Sequence, residues 1–461
     1  MATGIGRSSA RRFRSSPPLR IRRSSRRQGG RKRRPSPVPA SKPYEDGFAN
    51  GYREGVQSGL QSYDTLFEGT SIIIPTYNQL ALLQQCLASI MDHTELPYEM
   101  IVVDNASTDG TADYLRKLGG AVRYRVLDRN QGFAGAINAG LMMAKGRTLL
   151  LLNNDTLVTD RWLDNLLACL NSDERIGMVG PLTNYSSGEQ QMKVPYGDIG
   201  EMYAYAKTYN VSNPALWRRT DRLVGFCLLL RRELFEQVGY FDEGFQFGNF
   251  EDDDYNIRVR LLGKSLVVAA DTFIHHFGSA SIKALGDRFN EINERNEQYF
   301  LYKWQHGTEW IHATHRYLAR SPQGLKGMVS LFPSRVAVRG IGAGVYWIEE
   351  GARRLVEGVL TFEPVRVSQT DLRQWPISEP ISAEEAERRW RGVETTEGVV
   401  ALPDGTLYHL EEGRARRIAG PAAMEGWHLH LKRMEVMQPE VLAAWEEGLP
   451  IIAPPLLRQA L

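Results

Sequence analysis

The sequence predicts an α/β fold, a mostly parallel sheet with helices on both faces, on three observations. First, three apolar runs, Ser71–Pro75, Ile101–Asn105 and Leu149–Asp155, each stop at a polar turn. Second, helical patterns intervene over 79–91, 111–118, 134–144 and 161–170. Third, this alternation holds for more than 100 residues, as a chain crossing repeatedly over a parallel sheet requires. In such sheets the carboxyl ends of the strands line the ligand crevice. Asp104 and Asp155, 51 residues apart, are thereby placed at one mouth.

In chain order, Ser107, Thr108 or Asp109 caps the second helix, and Asp160 the one that starts at Arg161. Val122–Leu127, Thr148–Leu152 and Ile176–Val179 read as strands. The polar segment 183–222, with Tyr185, Tyr196, Tyr203, Tyr205 and Tyr209, reads as a loop. Leu223–Leu230 is a core strand in which Gly225 either leaves room for a ligand or meets a steric need of the sheet. Glu251-Asp252-Asp253-Asp254 opens a helix to Leu261, where first-turn carboxylates are favourable by about 0.3–1 kcal/mol each. Ser265–Ile274 is a strand that delivers His275 and His276 to opposite sides. A helical region spans 293–318. The first strand is followed by Pro75-Thr76-Tyr77-Asn78 and not by GxGxxG, which argues against a dinucleotide cofactor.

The formal charge of +2 conceals an asymmetry. Residues 1–42 hold 14 Lys and Arg and no acid, leaving 42 basic against 54 acidic residues in 43–461, a net of −12. A tail of this composition cannot bury enough apolar area to order itself; it either contacts anionic surfaces weakly or acts as a solvated arm. Residues 44–66 repeat glycine every four positions (Gly47, Gly51, Gly55, Gly59), a pattern for a helix that packs closely on a partner or for a linker. Cys86, Cys169 and Cys227 lack CxxC spacing and read as core residues. With no apolar h-region and no apolar run of 18 residues, the expected location is cytoplasmic, peripheral to a membrane at most.

Near the C-terminus, Tyr346–Leu355 recurs as Tyr408–Ile418, each copy around Glu-Glu-Gly. The second follows Leu402-Pro403-Asp404-Gly405-Thr406, a hairpin signal. Each copy reads as two short strands, too small to stand alone, so the pair is expected to form one β domain, either an accessory module for ligand binding or oligomerisation or an inert packing cap.

Seven stretches in order, Ser71–Asn78, Val102–Gly110, Asn130–Gly140, Leu152–Thr156, Gly239–Glu243, Phe250–Asp254 and His276–Ser279, resemble an inverting family 2 glycosyltransferase of GT-A fold, in a rhamnosyltransferase-like bacterial subgroup. The resemblance covers about 70–305 and implies the nucleotide-diphospho-sugar transferase architecture. It implies transfer of a sugar from a UDP- or dTDP-linked donor to a glycan, lipid-linked or protein acceptor of the cell envelope, with Mn²⁺ or Mg²⁺ as cofactor. Carried onto this chain, Pro75, Tyr77 and Asp104 form the nucleotide pocket, and Asn153 contacts the sugar or ribose. Asp155 and His276 hold the metal, Asp252 is the general base, and Glu251, Asp254 and Arg258 support it. The family commonly has Asp-x-Asp where this chain has Asn153-Asn154-Asp155, which removes one carboxylate ligand.

The expected organisation is a basic tail (1–43), a glycine-repeat segment (44–69), a GT-A catalytic domain (70–305), a helical extension (306–340) and the accessory domain (341–461), with homo-oligomerisation as a candidate role. The competing readings are a nucleotidyltransferase of related fold, for which a Gly- and basic-rich first loop is missing, and an inactive scaffold.

Overall fold

A computed structural model describes residues 65–278, 288–320, 324–392 and 397–461; the basic tail and the repeated glycines lie outside these. Nine strands form the main sheet: β1 (Phe67–Thr76), β2 (Tyr98–Asp104), β3 (Arg123–Val126), β4 (Gly146–Leu152), β5 (Thr156–Leu157), β6 (Ile176–Thr183), β7 (Trp217–Thr220), β8 (Cys227–Arg231) and β9 (Ser265–His276). Their order is β3-β2-β1-β4-β8-β6-β9-β5, with β7 paired to β9.

The continuous apolar runs arise because both sheet faces are covered. Ile73, Val103, Leu149 and Leu151 pack on one side with the helices Gly132–Met143, Arg232–Val238 and Glu251–Leu261. Ile72, Ile74, Val102, Leu150 and Leu152 pack on the other with Leu80–His93 and Trp162–Asn171. Gly140 permits one of these approaches, since a Cβ there would lie 2.3 Å from Ile73 Cγ2. The three cysteines are free and buried; burial pushes the Cys86 and Cys169 thiols up to about 12.

The sheet is mixed, which corrects the expectation of a mostly parallel one. β3, β2, β1 and β4 are parallel, as are β6 and β9, but β8 is antiparallel to both its neighbours, and β5 and β7 run antiparallel to β9. The chain reaches β8 through the long segment 184–226, which carries the helix Ile199–Tyr209 and β7 where the sequence reads as a loop, and enters β8 antiparallel to both neighbours. Asp160 does not cap its helix: Arg161 occupies that position at φ 61, and Asp160 Oδ1 lies 2.6 Å from His93 Nδ1.

Beyond the helices Arg288–Trp304 and Gly307–Arg320 come two five-stranded sheets. The first comprises β10 (Val336–Arg339), β11 (Val345–Glu349), β12 (Ala352–Glu357), β13 (Val365–Arg366) and β14 (Ile377–Ser382) in the order β13-β10-β11-β12-β14. The second comprises β15 (Gly398–Ala401), β16 (Leu407–Glu411), β17 (Arg414–Arg417), β18 (Met434–Val436) and β19 (Glu446–Glu447) in the order β18-β15-β16-β17-β19. In both, three antiparallel strands are flanked by one parallel strand on each side. Each copy is thus five strands and not two.

The last residues leave the second sheet and return to the main one. Leu457 and Leu461 join the core beside the helix Gly132–Met143. Glu243 Oε2 accepts from the backbone N–H of Arg458 (2.6 Å) and Gln459 (3.2 Å), and Gln459 Nε2 donates to Gly135 O at 2.7 Å. Beneath this strap lies a buried charge network. Lys303 Nζ sits 2.5 Å from Asp242 Oδ2 and 2.6 Å from Asp254 Oδ1. Arg258 Nε donates to Asp254 Oδ2 at 2.9 Å, Trp304 Nε1 donates to Asp254 Oδ1 at 2.8 Å, and Leu456 N–H donates to Asp242 Oδ1 at 3.1 Å.

Deleting residues 457–461 should lower unfolding free energy in urea by about 3–6 kcal/mol, since each buried leucine contributes about 1.5–3 kcal/mol. Lys303→Met should cost about 3–5 kcal/mol in the same assay, because it strips two buried carboxylates of a shared partner; a change below about 1 kcal/mol would mean that water reaches the network.

Candidate active site

The carboxyl ends of β1, β2 and β4 converge through side-chain hydrogen bonds. Asn154 Nδ2 donates to Thr76 Oγ1 at 2.8 Å, and Asn78 Oδ1 accepts from Thr108 N–H at 2.7 Å. Asp109 fixes two helix starts at once, accepting from Leu80 N–H at 2.8 Å and from Thr111 Oγ1 at 2.6 Å. Asp104, fully buried, accepts from Ser107 N–H at 2.9 Å through Oδ1, while its Oδ2 has no partner in the protein. Leaving a buried carboxylate oxygen unmatched costs about 1–3 kcal/mol or more, and a ligand N–H would satisfy it. Pro75 is the last residue but one of β1, Tyr77 is exposed beyond it, and Asn153 is half-buried, its N–H donating to Phe226 O at 2.9 Å.

Asp155 and His276 face each other across the pairing of β5 with β9, with Nε2 3.1 Å from Oδ1. His276 Nδ1 lies 2.8 Å from the Tyr185 carbonyl, which can only accept, so Nδ1 carries a proton. Nε2 therefore turns a lone pair toward a carboxylate unless a second proton or a cation sits between them. That donor set fits a divalent ion, the histidine being oriented by its other nitrogen. Among the described residues no group of three or more His, Cys, Asp or Glu could hold a metal, so the other ligands would be diphosphate oxygens and water. His275 points away and meets Tyr196 Oη at 2.7 Å; burial, then His276, hold its pKa down at about 4.

The acidic cluster divides into distinct environments. Asp252 Oδ2 accepts from Gly225 N–H and Oδ1 from Asp253 N–H, both at 2.9 Å. Burial, then the charge of Asp253, push its pKa up to about 6 against Arg222 and these donors. Glu251 is raised well above the carboxylate range by burial and then by Asp252, and its Oε2 has no partner. Burial also works against ionised Asp254, but Lys303 and Arg258 outweigh it and hold its pKa below the usual value. Asp253 pairs with Arg222, whose Nη1 donates to Ser187 Oγ at 2.9 Å. Gly225 lies against Asp252, with a Cβ placed there 3.4 Å from Asp252 Cβ. The next residue, Phe226, stacks on His276 at 5.5 Å between centroids. The path Asp155–His276–Phe226–Gly225–Asp252 links the two ends of the site.

The loop before Glu251 is strained, with Phe247, Asn249 and Phe250 at φ between 58° and 77°, a conformation that persists only when its surroundings enforce it. Asn296 does so: Nδ2 donates to the carbonyls of Gln246 (2.9 Å), Gly248 (2.8 Å) and Asn249 (3.2 Å), and Oδ1 accepts from Gln246 N–H (3.0 Å). The sequence reading did not single out Asn296, Lys303, Arg222 or Glu243. No periodicity marks them, and only Glu243, inside a matched stretch, carried any signal.

Residues 71–239 match the profile of Glycosyl transferase family 2. The chain is 29% identical over 238 residues to an uncharacterized protein, y4gI, of Sinorhizobium fredii (48% of this chain, 26% of that protein). It is 29% identical over 235 residues to the O-antigen biosynthesis protein RfbC of Myxococcus xanthus (46% and 18%). It is 26% identical over 283 residues to the N-acetylglucosaminyl-diphospho-decaprenol L-rhamnosyltransferase of Mycobacterium tuberculosis (55% and 90%). The alignment thus spans about a quarter or less of the first two relatives. The matched region holds the ends of β1, β2 and β4 with Asp104 and Asp155, so this part of the chain is similar to family 2 glycosyltransferases, while the Asp252 cluster and His276 lie beyond it.

Proposed function

We propose that the chain transfers a sugar, with inversion at the anomeric carbon, from a nucleotide-diphosphate sugar to an acceptor hydroxyl, with Asp252 as general base. The observation that carries this reading is the contrast within one helical turn: burial raises Glu251 well above the carboxylate range, Lys303 and Arg258 outweigh burial to hold Asp254 below it, and Asp252, which accepts from the Gly225 and Asp253 N–H groups, lies at about 6. Direct displacement requires a group that is ionised at neutral pH yet basic enough to take the acceptor proton as the C–O bond forms. Glu251, which burial and then the charge of Asp252 raise well above the carboxylate range, is the weaker candidate for that task. Asp253 is engaged by the Arg222 guanidinium.

Asp104 Oδ2 receives an N–H of the nucleotide base, with Pro75 and Tyr77 bordering it and Asn153 toward the ribose or sugar. A divalent cation, Mn²⁺ or Mg²⁺, held by Asp155 and His276 supplies charge compensation to the diphosphate when bound. Asp254 and Arg258 fix the helix that presents Asp252, and Asn296 fixes the loop before it. The Mycobacterium tuberculosis relative, named for rhamnosyl transfer to a diphospho-decaprenol-linked sugar, supports a lipid-linked glycan acceptor, which a chain without a membrane-spanning helix among its described residues would meet at the bilayer surface.

Asp252→Asn should reduce kcat about 10²- to 10⁴-fold with donor affinity nearly unchanged; loss on Glu251→Gln with Asp252→Asn near wild type would reassign the base. Since the base works ionised, kcat/KM should rise as pH increases through about 6 and level off above it. Arg222→Gln removes a charge that favours the ionised form and should move that limb to higher pH.

Asp155→Ala should abolish the Mn²⁺-dependent part of UDP binding in titration calorimetry without lowering the melting temperature. Metal-dependent affinity equal to wild type would remove Asp155 from the ligand set.

A further inference from the structure

The two C-terminal sheets are copies, and the place where they differ is a cleft. Register aligns them residue by residue: Arg353 pairs with Ile377 in the first, and Ala415 with Glu447 in the second. Tyr346 therefore corresponds to Tyr408, Arg353 to Ala415, and Trp375, two residues before Ile377, to Trp445. In the first copy Arg353 lies over the Tyr346 ring at 5.4 Å and donates through Nη1 to Leu372 O at 2.8 Å, and Trp375 is buried. In the second copy the arginine is replaced by a methyl group. The space it would fill is open, and Trp445 is only half-buried.

What remains is a cavity of about 430 Å³ between the second sheet and the helix Gly307–Arg320, walled by Trp310, Tyr408 and Trp445 and edged by Glu309, Arg417 and Glu447. Arg417 is held in place, stacked 4.7 Å over Trp310 and paired with Glu309. The half-buried Tyr408 and Trp445 rings beside the Arg417–Glu309 pair suit a ligand with one apolar face and many hydroxyls at its rim. A pyranose has that form: its C–H face packs on an aromatic ring, and adjacent hydroxyls match the two-pronged geometry of guanidinium and carboxylate. An apolar peptide would leave the charged rim unmatched.

We propose that this cleft is a second saccharide site, which holds a non-reacting part of the acceptor or product glycan away from the Asp252 centre. The assignment of the ligand as glycan rests on the transferase reading above. Filling the cleft with the side chain of the first copy is the direct test. Purified full-length chain should be retained on a microarray of bacterial envelope oligosaccharides. Retention should weaken about tenfold or more in Trp445→Ala and in Ala415→Arg, with the melting temperature and acceptor-free hydrolysis of the nucleotide sugar unchanged in Ala415→Arg. Retention of no oligosaccharide, retention equal to wild type in both variants, or selective capture of apolar peptides by the cleft would overturn the proposal. A chain that retains a glycan through Trp445 yet turns over no nucleotide sugar would instead defeat the transferase reading and leave this site standing.

Discussion

Four buried charges, Asp242, Lys303, Asp254 and Arg258, hold the catalytic half together. They are almost wholly excluded from solvent, and desolvating each ion costs several kcal/mol. Two carboxylates against two cations leave the set neutral, and further donors from Trp304 and the Leu456 backbone occupy the remaining carboxylate lone pairs. An apolar cluster of the same volume would be at least as stable. The network accomplishes something an apolar cluster cannot, because its directional bonds join four chain segments in one geometry: the Asp242 turn, the Asp252 helix, the helix Arg288–Trp304 and the C-terminal strap.

That geometry bears on Asp252. The first turn of a helix favours an ionised carboxylate, and two backbone N–H donors add to this, yet the group is pushed up because burial and Asp253 outweigh them. Such a balance is sensitive to position. Burial falls if the helix shifts outward, and the contribution of Asp253 changes if its pair with Arg222 opens. Asn296 and the Asp254–Lys303–Arg258 network hold the two ends of this turn, one from the strained loop and one from the helix interior.

Much of the first half of the domain was legible in the sequence because its information is local. Ile72-Ile73-Ile74 and Leu149–Leu152 need both faces buried, and a strand buried on both faces and ending in Asp or Asn points to a crevice. The mixed half was not legible. β8 reads as a core strand in either direction, and its antiparallel entry depends on where the segment 184–226 crosses, which no short pattern records. The supporting residues were illegible for a related reason. Lys303 and Asn296 act from a helix about 50 residues beyond the helix and loop they hold, and a buried lysine is spelled like a surface one. The Glu-Glu-Gly duplication was visible, but β13, β14, β18 and β19 were not, since each is an edge strand joined in parallel to a partner distant in sequence.

The duplicated unit shows how one scaffold can serve two ends. Each copy buries a glutamate at the same place in its hairpin, Glu349 and Glu411, and matches it with its own arginine, Arg354 and Arg416. The copies are also tied to each other: Glu411 accepts from Ser334 N–H at 2.8 Å, and Arg335 pairs with Glu397, which stands at its own equivalent position in the second copy. The first copy turns its outer helix toward the catalytic domain, where Gln374 Nε2 donates to Glu236 O at 2.8 Å. A face committed to that contact needs a filled interior, which Arg353 provides. Among the described residues no side chain of the equivalent helix Pro439–Leu442 hydrogen-bonds to the main-sheet domain, so Ala415 can leave the interior open without weakening the attachment. That division of labour is why the cleft lies in the second copy, while the strap that follows it returns to the active-site loop.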